Sequence, residues 1–129
     1  MSSNITNEFS FILKPSQHGI GVFAAQDIKK GTFLRLFATD EHPEESRILN
    51  KKDVPELFRS YCIDKGDKLA CPEDFGWMKI GWYLNHSKTP NAKYENWECF
   101  ATRDILAGEE ILIDYNTLEE PKEAKEDYY

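Results

Sequence analysis

Apolar residues along this chain come in short runs broken by glycine and charge, a rhythm of strands and tight turns. Residues 9–14 alternate weakly, and residues 20–25 are small and apolar. Residues 32–37 concentrate Phe33, Leu34, Leu36 and Phe37. Residues 93–96 and 97–102 read as two strands flanking a tight turn. Residues 110–115 read as another strand, with Ile111, Ile113 and Tyr115 on one face because side chains alternate along a strand. Glycines at 19, 21, 31, 66, 76, 81 and 108 punctuate these runs.

Helical signal is confined to the middle. Residues 43–52 carry Glu44, Glu45, Ile48 and Leu49 at short-helix spacing. Asp53-Val54-Pro55-Glu56 reads as a helix start, with Asp53 as N-cap, Pro55 in the first turn and Glu56 three residues on. Leu57, Phe58 and Tyr61 then share a face. The chain also echoes itself: Asp27-Ile28-Lys29-Lys30-Gly31 resembles Asp104-Ile105-Leu106-Ala107-Gly108. The shared Asp-Ile-x-x-Gly predicts the same turn built twice within one β domain, with glycine supplying a positive φ.

Length and composition narrow the picture. The chain has 129 residues, 40% of them apolar, which suits one domain with one core. We take residues 1–118 as that domain and residues 119–129 as a short Glu/Lys-rich tail. No apolar run is long enough to span a bilayer, and the first residues lack the pattern of a secretory signal. Cys62, Cys71 and Cys99 are odd in number and contain no C-x-x-C pair, so free thiols are expected in place of a disulfide framework or zinc site. The net charge of −7 argues against a basic nucleic-acid-binding face and is compatible with a basic partner.

Three constellations carry candidate chemistry. In His18-Gly19-Ile20-Gly21-Val22-Phe23, the paired glycines let backbone approach a ligand closely; taken alone, the segment is also an ordinary β-turn. It lacks the third glycine and following helix of a dinucleotide fingerprint. Asn85-His86-Ser87-Lys88-Thr89-Pro90-Asn91 packs polar side chains before a proline turn, and alone it is equally a loop. His18, His42 and His86 show no metal-ligand spacing, so no metal is expected. Adjacent Ser87 and His86 make a poor nucleophile pair, because neighbours in a strand point apart. Gly108 to Tyr115 is a charged turn, an apolar strand and a terminal tyrosine, which alone is a core strand ending in a half-buried ring.

In this order the three segments resemble the SET-domain protein lysine methyltransferases. Such proteins carry a G-x-G segment followed by an aromatic residue and Ala, here Gly19 to Ala24. They then carry N-H-S-x-x-P-N, here Asn85 to Asn91, and G-E-E-[IL]-x-x-x-Y, here Gly108 to Tyr115. The resemblance spans residues 11–115, and the size is similar to minimal viral SET proteins without flanking zinc modules.

The resemblance implies a mainly β, β-clip-like fold with minor α content: several small sheets, one or two short helices, and a C-terminal pseudoknot. It implies S-adenosylmethionine as methyl donor, S-adenosylhomocysteine as product, and a narrow channel joining the donor to a peptide lysine. Gly19, Ile20 and Gly21 would contact the donor's methionine part through backbone. Asn85 would hold its amino acid end, and His86 would meet the adenine mainly by backbone. Asn91 would brace the pseudoknot. Tyr115 would aim its hydroxyl at the methyl group and lysine nitrogen, and also belong to the donor site. Tyr61 is the candidate second catalytic and channel aromatic, with Tyr83, Phe100 and Ile113 as further channel residues. The family often has Phe or Tyr, which influences the number of methyls added, at the position of Ile113, Gly at Asn116 and Cys at Lys88; this chain departs from the pattern at all three. Tyr128 or Tyr129 would stack on the adenine or cap the channel.

The expected activity is methylation of a basic, histone-like tail. The alternatives are a non-histone target, such as a ribosomal or translation protein, and an inactive SET-like peptide-binding module. The expected setting is intracellular, either a nucleus (a host's, if the protein is viral or an exported effector) or the cytoplasm. No membrane or direct nucleic-acid partner is expected, and a homodimer is compatible with the exposed aromatic residues.

Overall fold

The short apolar runs pair as strands, and Gly31, Gly66 and Gly108 sit at turns between them with positive φ. In the computed structural model, residues 4–17, 19–37, 46–95 and 97–115 are described. The strands are β1 (Phe11–Ser16), β2 (Gly19–Ala24), β3 (Phe33–Leu34), β4 (Arg47–Asn50), β5 (Ile63–Asp64), β6 (Lys68–Cys71), β7 (Asn85–His86), β8 (Ala92–Glu95), β9 (Glu98–Ala101) and β10 (Leu112–Ile113). They form four small sheets: the β1-β2 hairpin, β3-β9-β8, β4-β6-β5, and β7 beside β10. Only the last pairing is parallel. The helical elements are α1 (Glu56–Arg59) and the 3-10 turns Lys51–Asp53 and Ile80–Tyr83. The fold is therefore mainly β with minor helix, as the resemblance implied.

The echoed Asp-Ile-x-x-Gly segments are two corners that grip each other. Ile28 and Ile105 are both buried and exchange backbone hydrogen bonds of 2.7 Å in each direction. The Asp27 carboxylate accepts from the Ala107 N–H, and the Asp104 carboxylate accepts from the Lys30 N–H, each at 2.8 Å. Gly31 and Gly108 close the corners at φ +87° and +94°, a region open to glycine and strained for other residues. The likeness in sequence is thus a pseudo-symmetry in space.

The main core gathers Val22, Leu34, Ile105, Ile111 and Ile113 with an aromatic group of Phe37, Trp82, Tyr94 and Trp97. Ring centroids in that group lie 5.3–6.0 Å apart, mostly edge to face, the arrangement favoured by the ring quadrupoles. A second, smaller core holds Val54, Leu69 and Cys71, with Leu49, Cys62 and Phe75 packed against it. All three cysteines are free.

Two helical expectations are corrected. Residues 43–45 lie outside the described residues, and residues 47–50 form β4, not a helix. A ten-residue helix is marginal in water, whereas β4 pairs along its whole length with β6 and turns Leu49 into the second core. Asp53 does not cap α1: it ends the 3-10 turn, and the N-cap position is Pro55, with no side-chain cap bond. With α1 only four residues long, Leu57 points to solvent, while Phe58 packs on Phe75 and Tyr61 on Tyr83. Two strands are also shorter than their sequence runs. Of residues 32–37 only Phe33–Leu34 pairs, and of residues 110–115 only Leu112–Ile113 lies in a strand.

Candidate functional site

The site is assembled where β2, β7 and the chain leading into β10 meet. The backbone brings Gly108–Tyr115 alongside β2: Ala24 N–H donates to Glu109 O at 2.8 Å, Ile111 N–H donates to Val22 O at 2.7 Å, and Phe23 bridges Glu110. This turns the Glu110 side chain toward the glycine hairpin. Its Oε1 accepts from the Ser16 hydroxyl and its Oε2 from Asn85 Nδ2, both at 2.8 Å. Asn85 Nδ2 also reaches Ile20 O at 3.2 Å. The three separate sequence segments therefore converge on one carboxylate.

That convergence explains Gly21. A Cβ there would run into the Glu110 carboxylate, and would lie 2.9 Å from Ser16 Cβ and 3.0 Å from Asn85 Nδ2. Gly21 is required by close approach. Gly19 is required by conformation, since its φ is +108° while nothing lies within 4 Å of a Cβ built there.

Asn91 fastens the other side. It is 2% exposed; its Nδ2 donates to Glu110 O and its Oδ1 accepts from Leu112 N–H, both at 2.8 Å. One buried side chain thus satisfies two backbone groups on either side of Ile111, where β10 begins its parallel run beside β7. Threading of the chain end is not described, because residues 116–129 lie outside the described residues. Tyr128 and Tyr129, proposed above to close the site, are among them, as is Asn116; His18 also lies outside the described residues.

Tyr115 follows directly. Its N–H donates to His86 Nδ1 at 3.0 Å, and its hydroxyl donates to Leu84 O at 2.6 Å. The two rings lie 5.2 Å apart. The Asp114 carboxylate lies 3.7 Å from His86 Nδ1. The His86 side chain is buried, leaving its backbone as the part able to face a ligand.

The remaining channel candidates separate. Tyr61 and Tyr83 form one unit, with rings 5.3 Å apart, and the Tyr83 hydroxyl contacts Met78 Sδ at 3.8 Å. Tyr83 immediately precedes Leu84 in the sequence. Phe100 lies on β9 against Phe33, with rings 5.3 Å apart, and Ile113 is buried in the main core. Glu110, Ser16 and the Leu84 carbonyl were missed by sequence reasoning. For Glu110 the available signal was its place in Gly108-Glu109-Glu110; for the other two there was none.

Chemically the arrangement is rich in acceptors. Glu110 is a carboxylate, Asn85 Oδ1 takes no hydrogen bond from the described residues, and the Tyr115 oxygen keeps lone pairs after donating to Leu84. Such a set favours a cationic ligand. Among the described residues, no group of three or more His, Cys, Asp or Glu could hold a metal ion, and no helix is long and apolar enough to cross a membrane.

The family model described as SET domain matches residues 19–116. The histone-lysine N-methyltransferase, H3 lysine-36 specific, of Yarrowia lipolytica is 28% identical over 118 residues, covering 81% of this chain and 15% of that protein. The histone-lysine N-methyltransferase SUV39H1-A of Danio rerio is 28% identical over 124 residues, covering 83% of this chain and 29% of that protein. This chain therefore spans less than a third of either relative. Among solved structures, a humanized mutant of the Chaetomium thermophilum Polycomb Repressive Complex 2 superposes with a TM-score of 0.56 at 21% identity, over 88% of this chain and 15% of that one.

Proposed function

The chain belongs to the SET-domain family, and from that premise we propose that it methylates a lysine of a basic, histone-like protein segment, using S-adenosylmethionine. The observation that carries this reading is the Tyr115 hydroxyl, held at 2.6 Å on the Leu84 carbonyl beside the Asn85–Glu110 pair.

The residues suit the donor. Asn85 Oδ1 and the Glu110 carboxylate are acceptors for the ammonium of an amino acid end, next to the exposed backbone of Gly19 and Ile20. When bound, the donor supplies a methyl group on a cationic sulfur. Leu84 O fixes the direction of the Tyr115 O–H, so that the remaining lone pairs of that oxygen face away from the carbonyl. An oxygen so oriented favours positive charge at a methyl group or at the incoming nitrogen. The Tyr61–Tyr83 pair would supply the aromatic walls of the lysine channel. Such walls disfavour a lysine ammonium, whose ordinary pKa is about 10.4, and so favour the neutral nucleophile. They also hold methylated nitrogen by cation–π attraction. Positioning supplies the rest of the rate. The net charge of −7 speeds encounter with a basic segment, and action on histones implies a nucleus.

Transfer of labelled methyl from S-adenosylmethionine to histones and to lysate proteins tests the proposal. Labelled histone lysine, lost in Tyr115→Phe, is the expected result. Labelling of lysate proteins alone would overturn the histone part. Donor binding without transfer to anything would leave a binding module.

A further inference from the structure

Continuing the β5-β6 register by one residue sets Cys62 opposite Cys71. In β5 and β6, Asp64 pairs with Leu69 and Ile63 with Ala70. The turn beyond them is closed by a hydrogen bond from Lys65 N–H to Lys68 O at 2.9 Å. In an antiparallel ladder, hydrogen-bonded and non-hydrogen-bonded pairs alternate. Counting from Lys65 and Lys68, Cys62 and Cys71 fall at a non-hydrogen-bonded pair, the kind that brings side chains closest. The Cys62 N–H agrees, since it donates to Arg59 O and not across the ladder. At such a pair the Cα separation is about 4.5 Å, inside the span a disulfide bridges. Both thiols pack in the second core, with Cys71 buried and Cys62 partly open to solvent.

We propose that Cys62 and Cys71 are a reversible modification site, a dithiol that a low-molecular-weight disulfide such as oxidised glutathione converts to an internal disulfide. Cys62, the accessible thiol, loses its proton and attacks a glutathione sulfur. The glutathione S–S bond breaks, and one glutathione leaves as thiolate and takes up a proton. Cys71, deprotonated in turn, attacks Cys62 Sγ and expels the second glutathione. Two cysteine thiols are oxidised, and one glutathione disulfide is reduced to two thiols. Burial, and next the neighbouring Cys71 thiol, hold Cys62 well above the ordinary thiol range, so the exchange is slow at neutral pH and speeds up as pH rises. The bond would fix the backbone that carries Tyr61, which directly precedes Cys62. None of this depends on the methyltransferase reading.

The test incubates the reduced full-length chain with oxidised glutathione, quenches by alkylation, and maps peptides by mass spectrometry. The expected result is a Cys62–Cys71 linked peptide in the folded wild type, reversed by dithiothreitol. The link is absent in Cys62→Ser and kept in Cys99→Ala. A persistent glutathione adduct on Cys62, a link through Cys99, or no link under conditions that oxidise the urea-unfolded chain would each overturn it. Because the decisive peptide comes from the wild type, a variant that fails to fold does not obscure the answer.

Discussion

Replacing Gly21 by alanine adds one methyl group at the point where three side chains meet. The backbone there is extended, so the substitution strains no dihedral angle; its effect is contact alone. The new Cβ meets the Glu110 carboxylate first, and Ser16 Cβ and Asn85 Nδ2 next. Glu110 is the movable partner, but swinging it away breaks its bond to Ser16, to Asn85, or to both. A hydrogen bond to a charged group is worth about 1.5–3 kcal/mol. Losing one such bond at the donor site weakens binding by about tenfold to a hundredfold, at about 1.4 kcal/mol per decade. Gly66→Ala is the matched control: it lies in the β5-β6 turn, away from the site, and an added methyl meets nothing, but its φ of +94° penalises any other residue by about 1–2 kcal/mol. Urea unfolding and calorimetric titration with S-adenosylhomocysteine should therefore split the pair. Both variants lose some stability, and Gly21→Ala alone loses most of its donor affinity. If Gly21→Ala binds within twofold of wild type, or Gly66→Ala weakens as much, the Glu110 convergence is not part of the donor site.

Other consequences are as direct. Asn91→Ala strands the Glu110 carbonyl and the Leu112 N–H, so urea unfolding should report about 2–6 kcal/mol of lost stability, at about 1–3 kcal/mol per buried orphan. Asp27→Ala and Asp104→Ala each remove one of two reciprocal corner bonds; chemical denaturation should give nearly equal losses of about 1 kcal/mol, and unequal losses would contradict the pseudo-symmetry. Burial, and next Glu98, push the Cys99 thiol from 9.0 up to about 12. Its folded pKa lies above the unfolded one, so the associated stability is fully present below pH 9 and is lost as pH rises toward 12. Unfolding free energy measured across that window should fall less steeply in Cys99→Ala than in wild type.

Much of the fold was legible in the sequence, and the reasons are local. Short apolar runs located β1, β2, β8 and β9 to within about two residues, because alternation and turn chemistry act over a few positions. The Asp-Ile-x-x-Gly echo predicted like corners, but not that Ile28 and Ile105 pair with each other. Residues 47–50 misled, because helical spacing over so few residues yields to pairing with a strand twenty residues away. The same limit governs the site. Gly19, Gly21, Asn85, Asn91 and Tyr115 stood out through motif order. Ser16 and the Leu84 carbonyl did not, since their roles exist only once 94- and 31-residue separations are closed.

The central claim concerns the Tyr115 hydroxyl, and one measurement meets it most directly: single-turnover methyl transfer to a lysine peptide by wild type and Tyr115→Phe, with donor affinity measured on the same samples. The account predicts that Tyr115→Phe folds and keeps donor affinity within a few-fold while transfer falls by orders of magnitude. Transfer at the wild-type rate without that hydroxyl would contradict it.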